Sequence, residues 1–298
     1  MTDASVSAGT AVSAHELEDR AGYDPAFLGV QVPMPVLTTP EPTVELHYLH
    51  YSVLFRPDRR LAAVTALTMD GARLVQVDRT DDWRLDPRLA AELQAGPPVY
   101  ANNDLDRGHL VMRAASTWGE TEKEARQAEA DTFFFTNAAP QNKLFNQGRE
   151  LWLGLEDYVQ DHADAFDRKL VVLAGPVLDA GDPPYRGIQV PLRFWKVVAF
   201  LQDGPLAATG YLLDQTPLLD DLGAVTEEPV PGAAPPLGAF RTFQVPVADI
   251  TALTGVGLDQ LVGADLLPSA VTGAAPEPGQ PAEGWIELRS LEDVVLVA

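Results

Sequence analysis

The most informative stretch of the chain reads Asp106-Arg107-Gly108-His109. Imidazole titrates closer to neutral pH than any other side chain, so His109 can serve as a general base. The guanidinium of Arg107 is a planar, permanently charged fork that matches phosphate oxygens. Gly108 lets the backbone turn sharply or approach a ligand, and Asp106 can orient a neighbour by hydrogen bonding. These residue types predict a site that moves a proton beside a phosphate.

A second group of polar residues follows about thirty to fifty positions downstream. Asn137 ends a Phe-rich segment, and Asn146 and Glu156 lie on or near a helix predicted over Asn146–Phe166. Amide and carboxylate oxygens are hard ligands suited to magnesium, which keeps most of its waters in proteins. One protein oxygen with several waters would therefore form a magnesium site. Taken alone, Asn146 could equally be a helix N-cap.

Four blocks, in this order along the chain, resemble the DNA/RNA non-specific endonucleases of the Serratia-nuclease type. The blocks are Asp106-Arg107-Gly108-His109, Thr136-Asn137-Ala138-Ala139-Pro140-Gln141, Phe145-Asn146-Gln147-Gly148 and Trp152-Leu153-Gly154-Leu155-Glu156. The resemblance covers roughly Gly22 to Asp265. It implies a ββα-metal (His-Me finger) nuclease core with a central, mostly antiparallel sheet flanked by helices. In that core a β-ribbon carries the Asp106–His109 run and packs against the helix that begins near Asn146.

The resemblance also implies roles for individual residues. His109 would deprotonate the attacking water, and Asn146 would be the one direct protein ligand of Mg²⁺, with Mn²⁺ as a substitute. Asn137 would help to hold the active-site network, and Glu156 would anchor metal-bound water. Arg107 and a second arginine would contact phosphates. The implied reaction is hydrolysis of DNA and RNA that leaves 5′-phosphate ends.

The second arginine departs from the family pattern. In the family it sits just before an aromatic residue that is followed by an Asp-Pro pair. Here the stretch Trp83-Arg84-Leu85-Asp86-Pro87 is present, but Asp81-Asp82 precede it. Arg79 is the nearest candidate, and Arg84 is the runner-up.

The carboxylate also departs from the pattern. Glu156 lies ten residues after Asn146, whereas the best-known members of the family use a spacing of eight. Eight residues return to nearly the same face of a helix, while ten turn well away from it. Either the first turn is irregular around Gly148, or Glu150 or Asp157 shares the role.

Composition limits the function in other ways. The 298 residues are 46% hydrophobic, enough for a real core, and the absence of cysteine excludes disulfides, zinc–thiolate sites and cysteine nucleophiles. The net charge of −22 is unusual for a protein that binds phosphate backbones. It predicts weak, salt-sensitive capture of substrate. It also motivates two alternatives: a phosphodiesterase acting on small nucleotide-like substrates, and a non-catalytic binding domain.

The order of predicted elements is typical of the α+β class. We expect a tail over residues 1–21 with a short helix near His15–Arg20, a nuclease domain over 22–265, and a Pro/Ala-rich segment with a strand-like extension over 266–298. Predicted strands are Val44–Phe55, Leu61–Thr68, Ala72–Val77 after an Asp70-Gly71 hairpin turn, Thr132–Thr136, Leu170–Ala174, Phe194–Leu201 and Leu206–Leu213. A further helix is predicted over Thr121–Ala130. Phe133–Phe135 could stack on bases, but a buried strand is the simpler interpretation.

No apolar run reaches the roughly 18 to 20 residues needed to span a bilayer, so no membrane association is expected. Residues 1–14 lack the basic and apolar regions of a secretory signal, which predicts a cytoplasmic protein and leaves non-classical export open. DNA and RNA are the partners that the resemblance implies. The sequence specifies neither an inhibitor or other partner protein nor an oligomeric state.

Overall fold

Alanine, β-branched and aromatic residues dominate the long central strands, as is typical of strands covered on both faces. The computed structural model describes residues 12–142, 169–216, 241–267, 281–290 and 293–295. Their strands are β1 (Val44–His47), β2 (Tyr51–Arg56), β3 (Leu61–Asp70), β4 (Leu105–His109), β5 (Ala138–Asn142), β6 (Lys169–Val177), β7 (Pro184–Tyr185), β8 (Ile188–Gln189), β9 (Arg193–Leu201), β10 (Leu206–Asp214), β11 (Arg241–Val245) and β12 (Ile286–Leu288). Their α-helices are α1 (Ala14–Glu18), α2 (Pro97–Tyr100), α3 (Arg113–Ser116), α4 (Glu122–Asp131), α5 (Val247–Thr254) and α6 (Asp259–Val262).

Eight strands form one sheet in the order β1-β2-β3-β6-β9-β10-β11-β12, and every neighbouring pair is antiparallel. All ten residues of β3 are buried, so this strand is covered on both faces. Phe194 and Trp195, adjacent on β9, belong to different core clusters because successive side chains of a strand point to opposite faces. The predicted α+β class with a mostly antiparallel sheet is confirmed.

Strands β4 and β5 form a separate antiparallel ribbon that positions the site. Leu105 pairs with Asn142 at one end, and His109 pairs with Ala138 at the other. The chain after His109 enters the core, where Leu110 and Val111 are buried on the same side of the sheet as Phe194. The expectation of a β-ribbon that carries the Asp106–His109 run is confirmed. The helix predicted over residues 146–166 lies outside the described residues.

Two of the strands predicted in the N-terminal half of the chain are wrong. Val44–Phe55 is not one strand, because the chain reverses at Leu49-His50, where His50 has a φ of 71°. The backbone N–H of Tyr48 donates to the carbonyl of Tyr51 at 2.9 Å and closes the turn. The predicted strand over Ala72–Val77 is also absent, since a 3₁₀ helix over Gly71–Arg73 follows β3 instead.

The third wrong prediction is the buried strand over Thr132–Thr136, which is a turn leading into a 3₁₀ helix. All three phenylalanines are buried, but Phe134 forms an isolated bridge with Arg84 instead of belonging to a strand. They pack on three different neighbours: Phe133 on Trp83, Phe134 on Tyr48 and Phe135 on Tyr100. Burial of this segment was predicted correctly, but its backbone conformation was not.

Other elements agree with the sequence. The predicted helices near residues 15–20 and 121–130 are α1 and α4, and the Thr121 hydroxyl caps α4 by accepting from the backbone N–H of Glu124. Strands β6, β9 and β10 contain the three predicted core strands. Leu17 is buried in the core, so the described part of the predicted tail packs on the domain. Strand β11 and helices α5 and α6 were not predicted. No helix in the described ranges has both the length and the apolarity to cross a membrane.

Candidate active site

The two faces of β4 carry different groups. Arg107 and His109 are two residues apart and therefore project to the same face of the ribbon. Gly108 faces the other way, where any Cβ would overlap the side chain of Gln141 on β5. Glycine at this position thus lets the Gln141 side chain cross the ribbon without displacing the strand.

His109 lies against an aromatic shell formed by Trp83, Phe133 and Phe135. Its ring centroid is 4.7 Å from that of Trp83 and 5.1 Å from that of Phe133, with an edge-on angle of 87° to the phenylalanine. Trp83 itself contacts both Phe133 and Phe135, at 5.3 and 5.6 Å. Such aromatic pairs fix ring orientations beyond what burial alone does.

Backbone hydrogen bonds hold the two halves of this shell together. The N–H of Arg84 donates to the carbonyl of Phe133 at 3.0 Å, and the N–H of Phe135 donates to the carbonyl of Arg84 at 2.9 Å. These bonds form a parallel bridge between Arg84 and Phe134. Trp83, which precedes Arg84, is thereby positioned next to the Phe-rich segment.

Two cationic side chains rest on the aromatic shell. The guanidinium carbon of Arg107 lies 5.3 Å from the Trp83 ring centre, and that of Arg79 lies 5.5 Å from the Phe133 ring centre. Arg79 also pairs with Asp81, with 2.9 Å between Nη2 and Oδ1. Both arginines therefore have cation–π contacts on the rings that touch His109.

Burial lowers the pKa of His109 to about 3. The positive charges of Arg79, Arg113 and Arg107 lower the pKa further, and Asp81 opposes them. The Nε2 atom is shielded from solvent and has no hydrogen-bond partner in the described part of the chain. The imidazole is therefore neutral at pH 7 and keeps a lone pair, which a general base requires.

Asn137 is fully buried and braces the chain just after His109. Its Oδ1 accepts from the N–H of Val111 at 2.8 Å, and its Nδ2 donates to the carbonyls of Val111 and Thr132 at 3.2 and 3.0 Å. Its own carbonyl accepts from the N–H of Leu110 at 3.0 Å. This geometry supports the predicted role in holding the network and keeps Asn137 away from substrate.

The two candidates for the second arginine occupy different environments. Arg79 is about half exposed and close enough to His109 to lower its pKa. Arg84 is mostly buried, donates to the carbonyl of Ala130 at 2.7 Å and lies 4.5 Å over the Phe134 ring. Arg79 thus lies at the site, whereas Arg84 makes its contacts inside the fold.

Asp86, in the Asp-Pro pair after Trp83, is a structural residue. It is fully buried and accepts hydrogen bonds from the hydroxyl of Tyr48 and from the guanidinium of Arg88. The Tyr48 hydroxyl is also 2.6 Å from that of Thr136. This network ties the Trp83 segment to the residue before Asn137, since a buried carboxylate needs such partners.

Asp106 lies on β4 opposite Gln141, partly buried, on the strand face opposite to His109. Asn146 and Glu156 lie outside the described residues, as do the alternative carboxylates Glu150 and Asp157. Their predicted roles stay predictions.

The metal site that the family resemblance implies need not be a cluster of charged side chains. Within the described ranges no three His, Asp or Glu side chains come together around one point. A site built on one amide oxygen and several waters needs no such cluster. The shielded, unpartnered Nε2 of His109 fits a base that acts on water at such a site.

Two residues of this site, Trp83 and Arg113, carry no functional signal in the sequence. Phe133, for which base stacking was the alternative to a buried strand, packs against His109. Arg113, four residues after His109, begins α3 and lowers the pKa of His109. Trp83 lies four residues after Arg79, and only the tertiary fold brings these groups to His109.

Comparison with known proteins assigns the chain to a family. Residues 33–265 match the model of the DNA/RNA non-specific endonuclease family. Over 285 residues the chain is 36% identical to the uncharacterized protein y4fB of Sinorhizobium fredii, covering 88% of this chain and 42% of that protein. It is 25% identical to mitochondrial endonuclease G of Homo sapiens, covering 60% and 56% of the two chains. The chain thus spans about half the length of these relatives.

A solved structure shares the fold. The match is to a chain in a crystal structure of an EndoG/EndoGI complex that describes the mechanism of EndoG inhibition. The TM-score is 0.53 at 19% identity, and the alignment covers 74% of this chain and 88% of that chain. This likeness supports a ββα-metal nuclease architecture.

Proposed function

Because the chain belongs to the DNA/RNA non-specific endonuclease family, we propose that it is a metal-dependent, sugar-non-specific nuclease acting on DNA and RNA. The observation that carries the proposal is the shielded, unpartnered Nε2 of His109 beside three arginines. A neutral imidazole can take a proton, and the guanidiniums can receive the charge of a phosphodiester.

The chemistry follows from these side chains. His109 accepts a proton from water as the water oxygen bonds to phosphorus. The bond between phosphorus and the 3′ oxygen breaks, and the 3′ oxygen takes a proton from solvent water, so the products are a 5′-phosphate and a 3′-hydroxyl. The imidazolium that forms stands near Arg79, Arg107 and Arg113, whose charges favour release of its proton. The same charges offset the negative charge that builds up on the phosphate.

Mg²⁺, or Mn²⁺ in its place, would be held by Asn146 and would supply further charge stabilisation at the scissile phosphate and the leaving oxygen. Glu156 would anchor metal-bound water. The side chains of the described ranges supply the base and the cationic groups, and Asn137 sets the position of the base.

The net charge of −22 favours a second candidate, a phosphodiesterase for small nucleotide-like substrates, since these need no long basic groove. The two candidates differ in their preferred substrate. The nuclease degrades plasmid DNA and RNA faster than small diesters at equal phosphodiester concentration. The phosphodiesterase reverses that order.

The experiment compares digestion of plasmid DNA and of RNA with Mg²⁺, with Mn²⁺ and with excess EDTA, followed by end-group analysis of the fragments. The nuclease proposal predicts that both polymers are cut, that EDTA stops the reaction and that ligase can rejoin the 5′-phosphate ends. Intact polymers with either metal would overturn it.

A further inference from the structure

A basic cavity lies apart from His109, beneath the hairpin formed by β7 and β8. The open cavity has a volume of about 520 Å³, within the range of ordinary ligand sites. Arg59 and Arg186 line it together with Asp58, Tyr185 and Gln189. The cavity is therefore large enough for a phosphate group with the sugar attached to it.

Two arginines, Arg59 and Arg186, line the cavity with one carboxylate, Asp58. Asp182 pairs with Arg59 at 2.6 Å and offsets its charge. Arg56 binds both carboxylate oxygens of Asp58, at 2.8 and 2.7 Å, and so offsets the acid that faces the cavity. In a chain with a net charge of −22, this local excess of positive charge is an attractor for anions.

Arg59 is nine-tenths buried and held in place from one side. Its Nη2 donates to Asp182 at 2.6 Å, and its Nη1 donates to the carbonyl of Asp179 at 3.0 Å. Its Nε has no hydrogen-bond partner among the described residues. The two acceptors therefore fix the Arg59 guanidinium at the wall of the cavity.

Arg186 occupies the tip of the hairpin, where both Arg186 and Gly187 have positive φ. Its Nη1 donates to the carbonyls of Pro98 and Ala101 at 2.8 and 2.6 Å. Its side chain is exposed, and its Nη2 and Nε have no acceptor in the described ranges. Because carbonyls carry no net charge, these contacts orient the guanidinium and leave its full positive charge.

The cavity adjoins the active site through one residue. Tyr100, between the two residues that hold Arg186, stacks on Phe135 of the aromatic shell at 5.8 Å. Arg107 is close enough to lower the pKa of the Tyr100 hydroxyl, against a rise caused by burial. Tyr100 thus connects the segment that holds Arg186 with the aromatic shell and with Arg107.

We propose that Arg59 and Arg186 form an accessory site for a backbone phosphate of a nucleic acid strand, separate from the phosphate that is cut. This inference rests on the proposed function in that the ligand is a polymeric substrate. It gives an acidic chain a local means of holding a polyanion, and it predicts a preference for polymers over small diesters.

The test uses the full chain with His109→Ala, which prevents cleavage, with and without Arg186→Gln. Glutamine can still donate to one of the carbonyls that hold Arg186 but carries no charge. Binding of a fluorescein-labelled single-stranded DNA is measured by anisotropy across a series of NaCl concentrations. Arg126→Gln, which removes an exposed arginine of α4 that pairs with Glu122, is the matched control.

Loss of one phosphate contact on a single strand lowers the slope of log K against log salt by about 0.7. We expect that decrease for Arg186→Gln and none for Arg126→Gln. In the cleavage-competent protein, Arg186→Gln should reduce activity on DNA by several fold more than activity on bis(p-nitrophenyl) phosphate.

An unchanged slope would overturn the accessory site. Equal losses on DNA and on the small diester would overturn it too, because they would show that Arg186 acts by bracing residues 98–101. Equal inhibition of DNA binding by free phosphate in the His109→Ala protein with and without Arg186→Gln would also overturn it, because the competing phosphate would then not act at Arg186. If the His109→Ala protein binds DNA but the wild type fails to cut it, only the proposed nuclease function would be contradicted, not the accessory site.

Discussion

The imidazole of His109 packs against the indole of Trp83, with 4.7 Å between ring centroids and 51° between ring planes. The same indole carries the guanidinium of Arg107 on its ring at 5.3 Å. Trp83, which lies outside the β-ribbon, therefore contacts both His109 and Arg107, the functional side chains on one face of the ribbon. This makes Trp83 a positioning residue for the base and for a phosphate-binding cation.

Trp83→Ala should reduce kcat/KM on plasmid DNA by about tenfold to a hundredfold, since small displacements of a catalytic group are costly. Trp83→Phe keeps an aromatic face and should lose less. Trp285→Phe is the control, because Trp285 bonds Asp249 and packs on Phe243 in the other core cluster. Equal activity of Trp83→Ala and wild type would contradict the positioning role.

Arg79→Gln should lower kcat/KM on nucleic acid by about tenfold or more, the effect of losing a hydrogen bond to a charged group. Its melting temperature should change little, since an exposed ion pair contributes little stability. Arg84→Gln should do the opposite, because it removes the contacts with Ala130 and Phe134 inside the fold. Parallel activity assays and thermal melts of both variants check this. A larger activity loss in Arg84→Gln would reverse the assignment.

Asn137→Ala should destabilise the fold by about 3 kcal/mol, because it leaves buried groups of Val111 and Thr132 unpaired. Urea unfolding measures this loss. Activity should also fall at temperatures where the variant is still folded, since the chain after His109 loses its brace. Wild-type stability in Asn137→Ala would show that the three hydrogen bonds do not hold this segment.

His50 predicts a specific dependence of stability on pH. Burial lowers its pKa from 6.5 to about 4, while its ring stacks 3.6 Å from Trp118. Above pH 6.5 both the folded and unfolded chains hold it neutral. As pH falls from about 6.5 to about 4, only the unfolded chain takes up the proton, so stability is lost, by about 3 kcal/mol at most.

His50→Asn tests this, since asparagine does not titrate and tolerates the positive φ at this position. The free energy of unfolding of His50→Asn should fall less steeply between pH 7 and pH 4 than that of the wild type. His47→Asn, at an exposed site on β1, is the control. Identical pH slopes in His50→Asn and wild type would contradict the buried, neutral state of His50.

The sequence indicated most residues of the candidate site, but it predicted only part of the fold. The β-ribbon was implied by the family resemblance of the blocks around His109 and Asn137, and the pairing of β4 with β5 confirms it. The hairpin within Val44–Phe55 carried no Gly, Pro or Asn to mark its turn. Tyr48 stacks on Tyr51 across this turn, and His50 stacks on Trp118, a contact between residues that local patterns do not connect.

The Phe-rich segment also shows the limit of prediction from local sequence patterns. Phe133, Phe134 and Phe135 predicted burial correctly, since three aromatic residues in a row need a core. Their backbone conformation depends on the positions of their neighbours, since Phe133 packs on Trp83 and Phe134 packs on Tyr48. The cationic surroundings of His109 were equally hidden, because Arg79 and Arg113 come from separate segments and meet only in the tertiary structure.

The central claim is that His109 is the general base. The most direct measurement is kcat/KM of wild type and His109→Ala on the same DNA with saturating Mg²⁺, with circular dichroism confirming that both are folded. We expect the wild type to cut and the variant to lose at least about a hundredfold, the usual contribution of a general base. A folded His109→Ala that cuts DNA at the wild-type rate would contradict the account.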